Sequence, residues 1–333
     1  MIDKPLISIL TPTWNRGHLL DRIYSSLLEQ SCQNFEWIIA DDGSIDETAN
    51  IVDKYLKDEK LRIRFIHSNK RVGKARLDNE AIRISEGELT LWCDSDDYLL
   101  PETIQTLSKH WEAINAEDRS GYSGLTGIAV TAKGQILNPF LDFDPYDTSW
   151  NEIFGSYTKG SKTQDMVLCA RTELLKDNPF PEVDFVVPEG VIWTKLGNLK
   201  TKVILKPLKF VEYGHIGAIS YSNKMEYNRA RAVSLEQIFS EMQRYDQSFW
   251  FYSLNTVKFF RYSFHGELRM AAAFQNWRKQ ENKYKRFCFL LFFISYIFIL
   301  RDILLKNIIK THREFEENTL TAKIHIKHNA PKN

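Results

Sequence analysis

Over residues 1–115 the apolar positions follow two alternating rhythms. Leu6 to Leu10 and Phe35 to Ala40 are short runs bounded by turn residues, the pattern of strands buried on both faces. Between them Leu20, Ile23, Tyr24 and Leu27 recur at helical spacing. Past Gly43, Ser44 and Glu47 read as a Ser-x-x-Glu capping box ahead of a helix carrying Ile51, Val52, Tyr55 and Leu56. Leu61 to His67 alternates as a strand, Lys74 to Ser85 reads as a helix, and Leu89 to Cys93 as another strand. Pro101, followed by Glu102, suits the first turn of one more helix. The alternation predicts an α/β fold with a mostly parallel sheet, helices on its faces and right-handed crossovers.

From about residue 120 the rhythm changes. Tyr122 to Thr131, Lys133-Gly134 and Gln135 to Leu137 read as a hairpin, and Asn138 to Trp150 as a loop rich in Pro, Asp and aromatics. Met166 to Ala170 and Thr201 to Leu205 read as strands flanking a helical pattern over Gly190 to Leu196. Beyond 225 the chain reads as helical and aromatic-rich. The rhythm divides the chain into an α/β half over 1–115, a second half over 116–224, and a helical extension over 225–333. No repeat or low-complexity segment interrupts it.

Composition narrows the classes. The chain has 333 residues, 43% hydrophobic and 26% charged, enough to bury a sizeable core and unlike a disordered or fibrous chain. A net charge of +1 gives no global attraction to nucleic acid. Cys32, Cys93, Cys169 and Cys288 lie far apart, against a zinc site or disulfide framework and in keeping with a reducing compartment. The first residues lack the basic-then-apolar pattern of a signal peptide, so the expected location is cytoplasmic.

Chemistry collects where predicted strands stop. Asp41-Asp42-Gly43-Ser44 follows the second strand and Asp94-Ser95-Asp96-Asp97 the fourth. In an open parallel sheet ligands sit outside the carboxyl ends of the strands, so both clusters should face one crevice. Like charges gathered there are costly unless a cation neutralises them. One Asp pair alone reads equally as a turn and helix cap; two at the ends of one sheet do not. Asp94-x-Asp96 offers hard oxygen ligands suited to Mg²⁺ or Mn²⁺ with phosphate oxygens completing the shell. The implied reaction is transfer of a group away from a nucleoside diphosphate.

These residues carry a resemblance. Thr11-Pro12-Thr13-Trp14-Asn15-Arg16 after strand one, with the two acidic clusters in that order and spacing, resembles family 2 glycosyltransferases of the GT-A fold over about residues 5–220. The resemblance implies that Thr11, Thr13, Asn15, Arg16 and Asp42 hold the nucleoside base, that Asp94 reaches ribose or metal, and that Asp96 binds the metal. Gly73-Lys74 and Asn79 resemble the Gly-Lys-x-x-x-x-Asn element of one branch, which brings Lys74, and less directly Arg76, near the diphosphate. The bland alternative for Lys74 is a solvated lysine at a helix start.

An inverting transfer needs one carboxylate to take the acceptor hydroxyl's proton. Val187-Pro188-Glu189-Gly190-Val191-Ile192-Trp193 resembles the Pro-Glu-Gly variant of the family's Glu-Asp motif, with Gly at the usual Asp position. Glu189 is therefore the expected base; its alternative is a residue stabilising a helix N-terminus. Glu182 and Asp184 are fallback bases. Trp193 suits either a sugar platform or the core. Tyr213-Gly214-His215 falls where relatives close a loop over the diphosphate, and His215 is the candidate donor to it.

Phe287 to Leu300 carries no charge, while Lys283, Lys285 and Arg286 precede it and Arg301, Lys306 and Lys310 follow. As a helix it measures about 21 Å, short of a hydrocarbon core of about 30 Å. The pattern suits a segment lying on an anionic cytoplasmic leaflet; a buried helix or dimer seam are the alternatives. The sequence therefore points to a nucleotide-sugar donor, a glycan or glycolipid acceptor, Mn²⁺ or Mg²⁺, and peripheral attachment to the inner face of a membrane. An oligomer is compatible with it. The rivals are a nucleotidyltransferase, disfavoured because Thr11 to Arg16 contains no glycine, and a non-catalytic nucleotide- or membrane-binding relative, kept open by Gly190.

Overall fold

A computed structural model describes residues 4–131, 133–137, 146–150, 152–153, 165–182, 187, 189–212, 228–229, 231–233, 235–236, 249–279, 285–304 and 324–329. The chain packs as two compact units. One comprises 1–182, 196–215 and 315–333; the other comprises 183–195 and 216–314.

In the first unit strand and helix alternate as β1 (Ile7–Thr13), α1 (Gly17–Leu28), β2 (Phe35–Asp41), α2 (Thr48–Asp58), β3 (Ile63–Ser68), α3 (Lys74–Ile84) and β4 (Leu89–Trp92). There follow β5 (Tyr98–Leu99), α4 (Thr103–Glu112), β6 (Tyr122–Thr131), β7 (Tyr146–Ser149), β8 (Met166–Arg171), α5 (Thr172–Asp177), β9 (Lys200–Val211) and, near the chain's end, β10 (Ile324–His328). Among the described residues all of these strands form one sheet ordered β10-β3-β2-β1-β4-β8-β6-β9-β5, with β7 on β9. Pairing is parallel across β3, β2, β1 and β4, as βαβ crossovers require. Beyond β4 it mixes: β8 is antiparallel to β4 and β6, while β6 and β9 run parallel.

Every residue of β2 and β4 is buried, which explains their unbroken apolar runs. Trp37, Phe65 and Trp111 fill the core beside Ile7, Ile9 and Leu20. The buried indole N–H of Trp37 donates to Thr11 Oγ1 at 2.9 Å.

Several local expectations are corrected. The Ser44/Glu47 capping box does not form. Asp46 Oδ1 instead accepts from Thr48 N at 3.1 Å at the start of α2, and Ser44 turns back to Asp41. The stretch read as a loop over 138–150 contains β7, antiparallel to β9; Tyr and Thr suit a strand once a long partner offers an edge. The hairpin expected after β6 is present: Val130 and Ile136 form an antiparallel bridge, Leu137 N donates to Ala129 O at 3.0 Å, and Gly134 turns between them. β9 runs twelve residues instead of stopping at Leu205. Pro207 hid its continuation, and it sits where the β6–β9 register shifts, a place where a missing N–H is tolerated. The region expected to be helical beyond 225 contributes β10, antiparallel to β3 and tied there by Lys327 Nζ to Asp53 at 2.7 Å.

The second unit carries α6 (Gly190–Lys195), α7 (Phe249–His265), α8 (Met270–Lys279) and α9 (Lys285–Leu304). Its core is aromatic: Phe259, Phe260 and Trp277 are buried, with Phe274 and Phe292 packed against them. Among the described residues no helix is long and apolar enough to cross a membrane.

Candidate active site

β1 lies between β2 and β4, all three parallel, so their carboxyl ends open on the same end of the sheet. β1 continues through Thr13, further than its apolar run suggested, because Thr11, Pro12 and Thr13 pair with Ile39, Ala40 and Asp41. The turns beyond are sewn together by polar side chains. Asn15, with φ at 52°, donates its N–H to Ser44 Oγ at 2.7 Å and accepts from Ile45 N at 2.9 Å. Ser44 in turn donates to buried Asp41, whose other oxygen hydrogen-bonds His67 Nδ1 at 2.8 Å.

Asp42 is held by the backbone. Val72 N and Gly73 N donate to Oδ1 at 2.6 and 2.9 Å, while its own N–H donates to Thr13 O at 2.9 Å. Burial pushes the Asp42 carboxyl above the usual range, and the two amides and Arg71 oppose that rise. Arg71 approaches Oδ2 at 3.6 Å and stacks over exposed Trp14, 4.0 Å from the ring centroid. Gly43 makes the turn possible. Its φ is +72°, and a Cβ there would lie 2.5 Å from the backbone of Lys70.

The second acidic cluster stands beside Arg16, whose Nη1 donates to Asp96 Oδ2 at 3.1 Å and Ser95 Oγ at 3.2 Å. Asp97 is buried and paired with Lys209 Nζ of β9 at 2.9 Å. Burial above all, with Asp94 and Asp96 nearby, pushes the Asp97 carboxyl up to about 7. Burial would discharge Lys209, but the carboxylates of Asp97 and Asp94 outweigh it and keep the ammonium charged.

The sequence alone suggested that these acids tolerate one another only through a bound cation and a diphosphate. The structure corrects that. Arg16, Lys209 and the amides of Val72 and Gly73 supply much of the neutralisation from within the chain. Asp94 is the exception. Its carboxylate is half-buried and makes no hydrogen bond or ion pair among the described residues. No cluster of three or more Asp, Glu, His or Cys among those residues could hold a metal by itself. Two hard oxygen donors, Asp94 and Asp96, fit a divalent ion that draws its remaining ligands from phosphate and water, and do not fit a closed structural site.

Thr13, Asn15, Arg16, Asp42, Asp94 and Asp96 therefore gather at one end of the sheet. Lys74 begins α3 directly after Gly73, with Nζ on Asp78 at 2.8 Å. Thr11 lies deeper, its hydroxyl engaged by Trp37, and is not on the crevice surface. Thr13 Oγ1 is buried at the strand end with no hydrogen-bond partner among the described residues. Asn79 braces the chain at Phe180, donating to its carbonyl at 3.0 Å and accepting from its N–H at 2.8 Å. Glu189 precedes α6 in the second unit, its carbonyl accepting from Ile192 N at 2.9 Å. Trp193 is buried, the core alternative of the two considered for it. A Cβ at Gly190 would meet open space, so nothing steric demands glycine there. His215 and Asp184 lie outside the described residues. Sequence reasoning missed Lys209 and Arg71. The signal for Lys209 was a lone cation in the apolar stretch Leu208 to Val211; for Arg71 there was none.

Comparison with known proteins agrees with this geometry. Residues 8–131 match the family model described as glycosyl transferase family 2. Over 205 residues the chain is 32% identical to the GalNAc(5)-diNAcBac-PP-undecaprenol beta-1,3-glucosyltransferase of Campylobacter jejuni, covering 62% of this chain and 64% of that one. Over 112 residues it is 33% identical to the glycosyltransferase GlyG of Streptococcus pneumoniae, covering 34% and 37%. The match thus spans between about a third and just under two thirds of these relatives' length. A crystal structure of Staphylococcus aureus TarS 1-349 in complex with UDP-GlcNAc superposes with a TM-score of 0.59 over 97% of both chains at 17% identity, which speaks for the fold. The match over residues 8–131 is thus to glycosyl transferase family 2, and the sheet is of the GT-A type.

Proposed function

We propose that the protein is an inverting glycosyltransferase that moves a sugar from a nucleoside-diphosphate sugar to a glycan or lipid-linked acceptor in cell-surface polysaccharide synthesis. The observation that carries this reading is Asp42, a carboxylate fixed by two backbone amides at the end of β2, on the strand next to β1 and on the same sheet end as Asp94 and Asp96. A carboxylate so oriented can accept ring hydrogens of uracil or guanine. Thr13, Asn15 and Arg16 frame the same strand ends. Lys74, at the start of α3, is the cation for the diphosphate.

Asp94 and Asp96 would hold Mn²⁺ or Mg²⁺, which when bound neutralises charge on a departing diphosphate. Glu189 takes the proton of the acceptor hydroxyl as its oxygen bonds to the anomeric carbon; the bond from that carbon to the diphosphate breaks on the opposite face. His215 is the further candidate donor to the leaving diphosphate. TarS binds UDP-GlcNAc, and a mannosyltransferase from Pyrobaculum calidifontis, TM-score 0.50 at 16% identity, is solved with GDP-Man and Mn²⁺. Both support a nucleotide-sugar donor, the second a divalent ion. The Campylobacter relative's name supports a lipid-linked acceptor, which would hold the enzyme at the inner face of a membrane.

Donor turnover tests the reading. Glu189→Gln should lower it by about 10²–10⁴-fold, the range for loss of a general base. Unchanged turnover would remove Glu189 from that role. Gly190→Asp has open space and should fold as the parent does. Thermal shifts with UDP, GDP and dTDP sugars plus Mn²⁺ identify the base, since ligand raises the melting temperature by mass action. If none of them moves it, the donor-binding reading fails.

A further inference from the structure

We propose that the outward face of α9 is a membrane-docking surface, lying in the headgroup–acyl boundary of an anionic bilayer. The reading goes beyond the transfer chemistry and stands or falls without it.

The helix has inverted polarity. Toward α7, α9 buries Ser295, Ile299 and Asp302, positions spaced by four and three residues on one helical face. Asp302 is 2% exposed and fully engaged. Arg261 and His265 of α7 hold Oδ2, the latter at 2.9 Å, and Arg301 donates to Oδ1 at 3.0 Å. α7 likewise buries hydroxyls, Thr256 and Ser263. The opposite side of α9 shows Leu290, Phe293, Tyr296, Ile297, Leu300 and Ile303, with Leu290 and Ile297 each about two-thirds exposed. A helix facing water would place its acid outside and its leucines inside. A helix facing lipid does what α9 does: it pairs its charge against a neighbouring helix and turns its apolar side chains outward.

Charge selects the occupant. Lys285 and Arg286 precede the uncharged run and Arg301, Lys306 and Lys310 follow it. Arg301 is half-exposed and leans over Phe298, 5.2 Å from the ring centroid, while holding Asp302, so a cation sits at the margin of the apolar face. A seam between two copies of α9, parallel or antiparallel, would bring cationic ends together; an anionic headgroup layer attracts both ends at once. The uncharged run Phe287 to Leu300 measures about 21 Å as a helix against a hydrocarbon core of about 30 Å, which favours a helix lying in the plane over one that crosses.

The test uses the full chain and extruded vesicles of phosphatidylcholine with about one third phosphatidylglycerol. Co-sedimentation is expected with these vesicles, weaker with pure phosphatidylcholine and weakened by salt. Phe293→Glu/Ile297→Glu, both exposed and so compatible with folding, should lower the partition coefficient by about tenfold or more. Ile136→Glu, exposed in the other unit, should leave it unchanged. Circular dichroism and melting temperature verify that each variant folds. Failure of the parent to partition, or equal partition of the double variant, would overturn the proposal. So would a lipid-free dimer that the double variant converts to monomer, which would make this face a seam between copies. None of these readouts needs a donor sugar, so a failed transfer assay and a failed membrane assay remain distinguishable.

Discussion

The strand ends of the first unit and the α7–α9 pair of the second both bury carboxylates, and they resolve the charge differently. Around Asp302 every oxygen has a partner from the helices themselves, so the cluster is closed and structural. Around the Asp94–Asp97 turn the chain supplies Arg16 and Lys209 but leaves the Asp94 carboxylate with no hydrogen bond or ion pair among the described residues. Buried acidity alone does not make a ligand site. What makes one is coordination capacity left over after the protein's own cations and amides have been counted, at a place the sheet opens to solvent.

Removing Lys209 presses hardest on that contrast. Lys209→Met leaves Asp97 buried beside two other acids and should cost about 3–5 kcal/mol in urea unfolding, as breaking a buried pair does. Adding Asp97→Asn should restore much of the loss; a cost near zero for the single variant would mean that the cluster does not depend on its internal cation. A crossed pair of variants comes next. Asp302→Asn should lower stability by about 1–3 kcal/mol while nucleotide affinity stays put. Asp94→Asn should do the reverse, lowering Mn²⁺-supported nucleotide affinity by about tenfold, read by calorimetry, with little change in melting temperature. If both variants moved both readouts, the division into closed and open clusters would fail.

Acid separates the two units by sign, with the smallest effect. The Asp42 carboxyl is raised, so its ionisation disfavours the folded state, and the stability tied to it falls as pH rises from the unfolded value through the folded one. Nucleotide affinity should weaken on acidification already above the ordinary carboxylate range, and Asp42→Asn should flatten that profile. At Asp302 burial would raise the carboxyl, but hydrogen bonds from Arg261, His265 and Arg301 hold it at about 2. The stability it contributes is therefore full above the ordinary carboxylate value of about 4 and is lost as pH falls through about 2.

The alternation from β1 to β4 was legible because strands buried on both faces must be continuously apolar and amphipathic helices must repeat near every fourth residue. The acidic turns were legible for the same reason, since they stop apolar runs. Less local features were not. β7 and β10 carry few apolar residues and are strands only because β9 and β3 offer them an edge. Asp46, and not Ser44, takes the Thr48 N–H at the start of α2, because Ser44 is claimed by Asp41 and Asn15.

By itself, then, the sequence determined which segments are strands and helices in the first third of the chain, and which acidic residues must end up at strand ends. Those outcomes depend on short-range periodicity and on the rule that parallel strands share a direction. Only the tertiary structure decided who neutralises whom: that Arg16 reaches Asp96 across 80 positions, that Lys209 reaches Asp97, that the Asp94 carboxylate makes no hydrogen bond or ion pair among the described residues, and that α9 hides its acid and displays its leucines. Electrostatic pairing depends on distance in space, and that distance exists only once the chain is folded.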